Sequence, residues 1–106
     1  MASTSNTLNL RAVLSAMQAL RYTPGGVAMI DAVLSHSSTQ TEAGVARQVE
    51  FELGARFADR AAERLSRTPL GSALALQGYL APRRRGSRSL LFHVIDFRTD
   101  SPSGTA

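Results

Sequence analysis

This sequence predicts an all-β domain: a closed barrel of five strands carrying one short helix. Three observations predict it. Apolar residues recur at every second position in five separate segments, turns rich in Pro and Gly divide those segments, and one stretch carries helical spacing instead. At 106 residues the chain has length for one domain and too little for two. A domain of that size buries roughly 60–70% of its unfolded surface, enough for a core without disulfides or metal.

In the first segment Leu8, Leu10, Ala12 and Leu14 alternate with Asn9, Arg11, Val13 and Ser15. A turn follows at Tyr22-Thr-Pro-Gly-Gly26, where paired glycines allow positive φ. The second strand sets Ala28, Ile30, Ala32 and Leu34 against Met29, Asp31, Val33 and Ser35, and the polar run His36–Gly44 reads as a long loop or hairpin tip. In the third, Val49, Phe51, Leu53, Ala55 and Phe57 share one face, opposite Gln48, Glu50, Glu52 and Arg56. Helical spacing then takes over across Ala58–Arg67: Phe57, Ala61 and Leu65 fall four apart, with Glu63 placed to support Arg67. Pro69 and Gly71 close the helix. Leu74, Leu76, Gly78 and Leu80 line the fourth strand. In the fifth, Leu91, His93, Ile95 and Phe97 alternate with Leu90, Phe92 and Val94.

Three strands, a helix and two more strands is the chain order of an OB-fold, a five-stranded Greek-key barrel that commonly binds single-stranded nucleic acid or oligosaccharide. A ferredoxin-like sandwich needs a second helix between the first two strands, and Gly25-Gly26 leaves no room for it. Residues 1–6 and 99–106 are polar, Ser/Pro/Gly-rich tails expected to be disordered, which leaves an OB domain over 7–98.

Composition narrows the function. Cysteine is absent, which excludes disulfides, thiolate metal sites and a cysteine nucleophile together. No apolar run approaches the ~18 residues of a membrane span, and no export signal is evident, so a cytoplasmic protein is expected. Twelve basic residues against eight acidic ones give a net charge of +4, and every cation is arginine. GC-rich codon usage alone produces such a bias, but each guanidinium remains a planar fork for phosphates and bases.

Four of those arginines, Arg83, Arg84, Arg85 and Arg88, crowd the turn between the fourth and fifth strands. In an OB-fold that loop flanks the nucleic-acid face, so they are candidate single-stranded-DNA ligands; a solvated basic turn that blunts an edge is the plain alternative. Arg21 beside Tyr22 offers charge with a stacking platform, against a tyrosine that merely caps the barrel. Glu50 and Glu52 put carboxylates where stacking aromatics belong; either they pair with neighbouring arginines or they mark a candidate partner-binding surface. No nucleophile motif, phosphate loop or metal-ligand spacing appears; His36 and His93 stand apart. No catalytic residue, metal or cofactor is therefore expected.

The series Asn9–Ser15, Tyr22–Val27, Leu34–Ser38, Gln40–Val49, Leu76–Leu80 and Ile95–Phe97 resembles PriB, the primosomal replication protein N family, over about residues 8–97. Its general strand pattern is shared with bacterial single-stranded-DNA-binding protein (SSB). The resemblance implies a homodimeric OB-fold protein of replication restart that binds single-stranded DNA and the PriA helicase and stimulates PriA. It adds Arg47, from the Arg-Gln pair, to the candidate DNA ligands. Val45 and Glu50 stand where better-known members have stacking aromatics, so a larger electrostatic share of binding is expected here. Two alternatives are an OB-fold interaction module with little DNA binding and a general SSB-like protector, the latter normally carrying a Gly-rich linker and acidic tail.

Overall fold

Each strand expected from alternation is present, and each runs further than its apolar pattern. The computed structural model, which describes residues 4–100, has the order β1 (Leu8–Met17), β2 (Arg21–Tyr22), β3 (Ala28–Glu42), β4 (Val45–Ala58), α1 (Arg60–Ser66), β5 (Ala73–Pro82) and β6 (Leu90–Thr99). The sheet runs β1-β5-β6-β4-β3, and β3 returns to pair with β1, so it closes. The closing contact of β4 with β6 is parallel (Ala55–Phe57 against Phe92–Val94), while the other ladders are antiparallel. The two-residue β2 lies along β3. This is the five-stranded OB barrel.

The inward faces follow from period two. Leu14, Ile30, Leu34, Phe57, Leu74 and Phe92 are fully buried, joined by Leu65 of α1. The helix packs on β3, β4 and β6 and buries Ala61, Ala62 and Leu65. Phe57 meets Phe97 edge-to-face at 5.5 Å. Among the described residues Glu63 and Arg67 form no ion pair; Arg64 does the holding instead, reaching Asp96 at 2.9 Å and lying over the Phe97 ring. No helix among the described residues is long and apolar enough to cross a membrane.

Two features depart from the sequence reading. The loop expected over His36–Gly44 is a hairpin, paired without a break from Met29–Ala58 to Glu42–Val45. Its two-residue turn has Ala43 at φ 53° and Gly44 at φ 77°, the pair of left-handed residues a tight hairpin demands. Beyond Leu34 the hairpin leaves the barrel, and its polar side chains bond across it, Thr39 to Gln48 at 3.2 Å and Gln48 to Ser37 at 3.3 Å. The β3 arm has no buried position there and no apolar alternation, while on the β4 arm Val49 and Phe51 continue the alternation outside the core, Phe51 41% exposed.

The second departure is a bulge in β6. Gln77 lies opposite Asp96 but Gly78 opposite Val94, which leaves Ile95 as the extra residue, 65% exposed. The bulge lets Phe92, Val94 and Phe97 all face inward, although Phe97 sits on the other parity. Asn6 and Thr99, at the inner ends of the expected tails, are bonded to the barrel. Asn6 donates to the Leu80 carbonyl at 2.8 Å and accepts its N–H at 3.1 Å. Thr99 ends β6, and the Asp100 N–H reaches the Ala73 carbonyl at 2.7 Å. The rest of the expected tails, 1–3 and 101–106, lies outside the described residues.

The bulge needs Gly78. A Cβ there would collide with the His93 carbonyl and crowd the Phe92 ring, both parts of the fixed frame. Gly78→Ala is expected to cost about 1–3 kcal/mol by overpacking, measured by urea unfolding; an unchanged midpoint would show that the bulge can relax.

Candidate nucleic-acid interface

The arginine loop is short and self-bonded. β5 ends at Pro82 and β6 resumes at Leu90. Between them the Arg83 N–H donates to the Ser89 carbonyl and the Ser87 N–H to the Arg84 carbonyl, both at 2.9 Å, while Gly86 takes φ 79° at the tip. Arg83, Arg84, Arg85 and Arg88 are all exposed. Among the described residues none of the four has a carboxylate within ion-pair distance, whereas Arg11, Arg21, Arg47, Arg56 and Arg64 do.

Arg21 and Arg47 are placed differently from what the sequence implied. Arg21 lies 3.3 Å from Asp31, which also takes a two-pronged grip from Arg56 at 2.8 and 3.3 Å. Those Arg56 hydrogen bonds, helped by the Arg21 charge, hold the Asp31 carboxyl below its ordinary value despite partial burial. Arg47, at the hairpin tip, pairs with Glu42 at 3.2 Å. Tyr22 stands out at 62% exposure on the rim, next to a turn held by Thr23 and Val27. Glu50 and Glu52 are exposed on the outer face of β4, opposite Ser37 and Ser35, with no arginine in ion-pair reach among the described residues. Val45 is exposed at the hairpin turn.

What the fold brings together is a groove of about 350 Å³ on the outer face of β3 and β4. Gln18 and Asp31 form one side, Arg83 and Leu91 the other, with Val33 and Gly54 in the floor. The loop after β1 and the arginine loop thus flank one surface, the arrangement through which OB-folds commonly take oligonucleotides. Arg47, Glu50 and Glu52 do not line it.

The sequence reading also missed two aromatic pairs. His36 stacks on Phe51 at 4.8 Å and bonds the Arg11 carbonyl at 2.7 Å, tying the hairpin to β1. His93 stacks on Tyr79, its cross-strand partner, at 4.9 Å with nearly parallel rings. The signal for each was a register, which a single strand's pattern does not carry.

A family model described as another single-strand binding protein family matches residues 6–96. Replication restart protein PriB of Nitrosomonas europaea is 36% identical over 93 residues, 88% of this chain and 86% of that protein. PriB of Bordetella pertussis is 38% identical, covering 88% and 87%. The solved PriB of Ralstonia solanacearum superposes with a TM-score of 0.83 at 37% identity, covering 92% of this chain and 99% of that one. A small single-stranded DNA-binding protein of Streptomyces coelicolor shares the fold, with a TM-score of 0.71 at 16% identity over 94% and 96% of the two chains. The barrel and the family model define an OB-fold protein of the single-strand-binding class. Within that class, the chain belongs to the replication restart protein PriB family.

Burial draws the His93 imidazole below its ordinary 6.5, the Arg56 charge adds to this, and Asp31 opposes it. Folded His93 therefore stays neutral where the unfolded chain takes up a proton. Stability is full above about 6.5 and falls as pH drops below it toward the folded value. His93→Phe, which keeps a ring against Tyr79, is expected to flatten that decline in denaturant unfolding stepped through pH. An identical decline in the variant would assign it to another group.

Proposed function

We propose that this chain is a single-stranded-DNA-binding accessory protein of the replication-restart primosome, acting in the cytoplasm as a homodimer that binds and stimulates the PriA helicase. The observation that carries the DNA-binding half is the arginine loop: four cations without acidic partners among the described residues, the first of which, Arg83, lines the groove on β3 and β4. Each phosphate neutralised releases counterions, so a cluster of unpaired guanidiniums gives affinity without reading sequence. Membership of the PriB family supports the replication-restart context.

Two further features support the partner half. Glu50 and Glu52 are exposed on the hairpin with no cation in ion-pair reach among the described residues. They repel phosphate and suit a basic patch on another protein, which also favours the second reading, an interaction module with little DNA binding. Residues Leu8–Ala12 of β1 pair with β5 alone, because β3 joins β1 only from Val13 onward. That leaves a backbone edge on which a second β1 can pair.

Titration of labelled oligo-dT with the wild type and with the triple variant Arg83/Arg84/Arg85→Ala, at several salt concentrations, tests the arginine loop. The triple variant is expected to bind more weakly, with a salt slope shallower by about 2, at ~0.7 for each phosphate of a single strand that is no longer neutralised. Equal binding would remove the loop from the site. Stimulation of PriA unwinding by a wild type that binds no oligonucleotide would favour the interaction module. Light scattering is expected to give the mass of a dimer.

A further inference from the structure

Arg83 differs from its three neighbours in the loop. It is the first residue after β5, its backbone N–H is bonded to Ser89, and its side chain, though exposed, lies back over β4 at Gly54. The guanidinium occupies the place where a Cβ of residue 54 would be: a methyl on Gly54 would overlap it, with the Leu91 side chain next at 3.6 Å. Gly54 lies in the ordinary extended conformation of β4, so no backbone strain calls for glycine here. What the missing Cβ does is leave a dent in the sheet, and the dent holds Arg83.

We infer that Gly54 seats Arg83 as a fixed planar platform on which a nucleobase of single-stranded DNA stacks at the edge of the groove. This rests on the DNA-binding reading above and gives Arg83, beyond the charge it shares with Arg84, Arg85 and Arg88, a task of its own. Three observations carry it. The Arg83 side chain makes no hydrogen bond or ion pair among the described residues, so neither its plane nor its donors are spent. The groove beside it is open, and Ala16, Val33, Gly54 and Ala55 give it a low floor that admits a flat ring. Gln18 and Asp31 line the opposite side, where the Gln18 side-chain amide carries both a donor and an acceptor for a ring edge. A guanidinium stacks on bases as an aromatic side chain does, and a seated one has little conformational freedom left to lose. Gly54 is a positioning residue: it acts through Arg83.

The test separates plane from charge. Arg83→Lys keeps the charge and loses the plane. Gly54→Ala keeps every charge and displaces the plane; because its only hard clash is with the far end of a flexible side chain, it is expected to melt like the wild type. Both variants are expected to bind oligo-dT about tenfold more weakly than the wild type, within the range set by the stacking of one base, at unchanged salt slope. Arg84→Lys and Arg85→Lys are expected to bind as the wild type does. On a single strand of abasic nucleotides the tenfold gap is expected to vanish. If Arg83→Lys binds oligo-dT like the wild type, or if the gap persists on the abasic strand, the stacking platform is overturned while DNA binding stands. If the wild type binds neither strand, the platform and the DNA-binding reading fall together.

Discussion

Three residue pairs of parallel ladder, Ala55–Phe57 of β4 against Phe92–Val94 of β6, hold this barrel shut. Every other ladder is antiparallel and joins strands that the chain already connects or that a long segment brings back. Without the parallel pairing the sheet would be an open ribbon with β4 and β6 as unsatisfied edges. The closing pairs carry Phe57 and Phe92, two of the largest fully buried side chains, so the seam and the centre of the core coincide. The same pairing sets Leu91 beside Gly54 and so determines where Arg83 lands. The outward surface inherits its geometry from the way the inward one is closed.

Charge on the outer face is sorted by that geometry. Asp31 gathers Arg21 from β2 and Arg56 from β4 into one network, on partly exposed sheet positions where hydrogen bonding to charge adds to Coulomb attraction. Two cations are thereby spent on holding strands together. Glu42 does the same to Arg47 at the hairpin tip, and Asp100 to Arg11. Among the described residues seven arginines remain without an acidic partner; Arg60, Arg67 and Arg98 stand apart, and the other four crowd the one loop between β5 and β6, a denser positive patch than a net charge of +4 suggests.

Much of this was legible in the residues. Period two located five strands, and Ala61 and Leu65 located the helix, because those segments have one face in a core and one in water. The β3 arm of the hairpin beyond Leu34 was unreadable by the same rule: with no buried position there, Ser37 and Thr39 give no alternation, and the remaining sign was the Ala43-Gly44 turn. The bulge at Ile95 was hidden because a one-residue insertion swaps the face of all that follows. At the candidate site, crowding in sequence guarantees crowding in space, so Arg83–Arg88 could be found from the chain alone. Asp31 and Arg56 meet across 25 positions, and Gly54 and Arg83 across more. Such pairs exist once the strand register does, and no local pattern announces them. Arg21 and Arg47 looked free for the same reason.

The projecting hairpin has a consequence for size. Eight residues, Ser35 to Glu42, run past the last buried position of β3, a span of roughly 26 Å at the rise of a strand. A barrel this small has little circumference along which to engage an elongated molecule. An arm of that length makes reach independent of barrel girth. Because the arm is tied to β1 by the bond from His36 to the Arg11 carbonyl, it leaves the body at a set angle. The molecule thus gains length along the hairpin without adding a residue to its core, like a ruler fixed at one end.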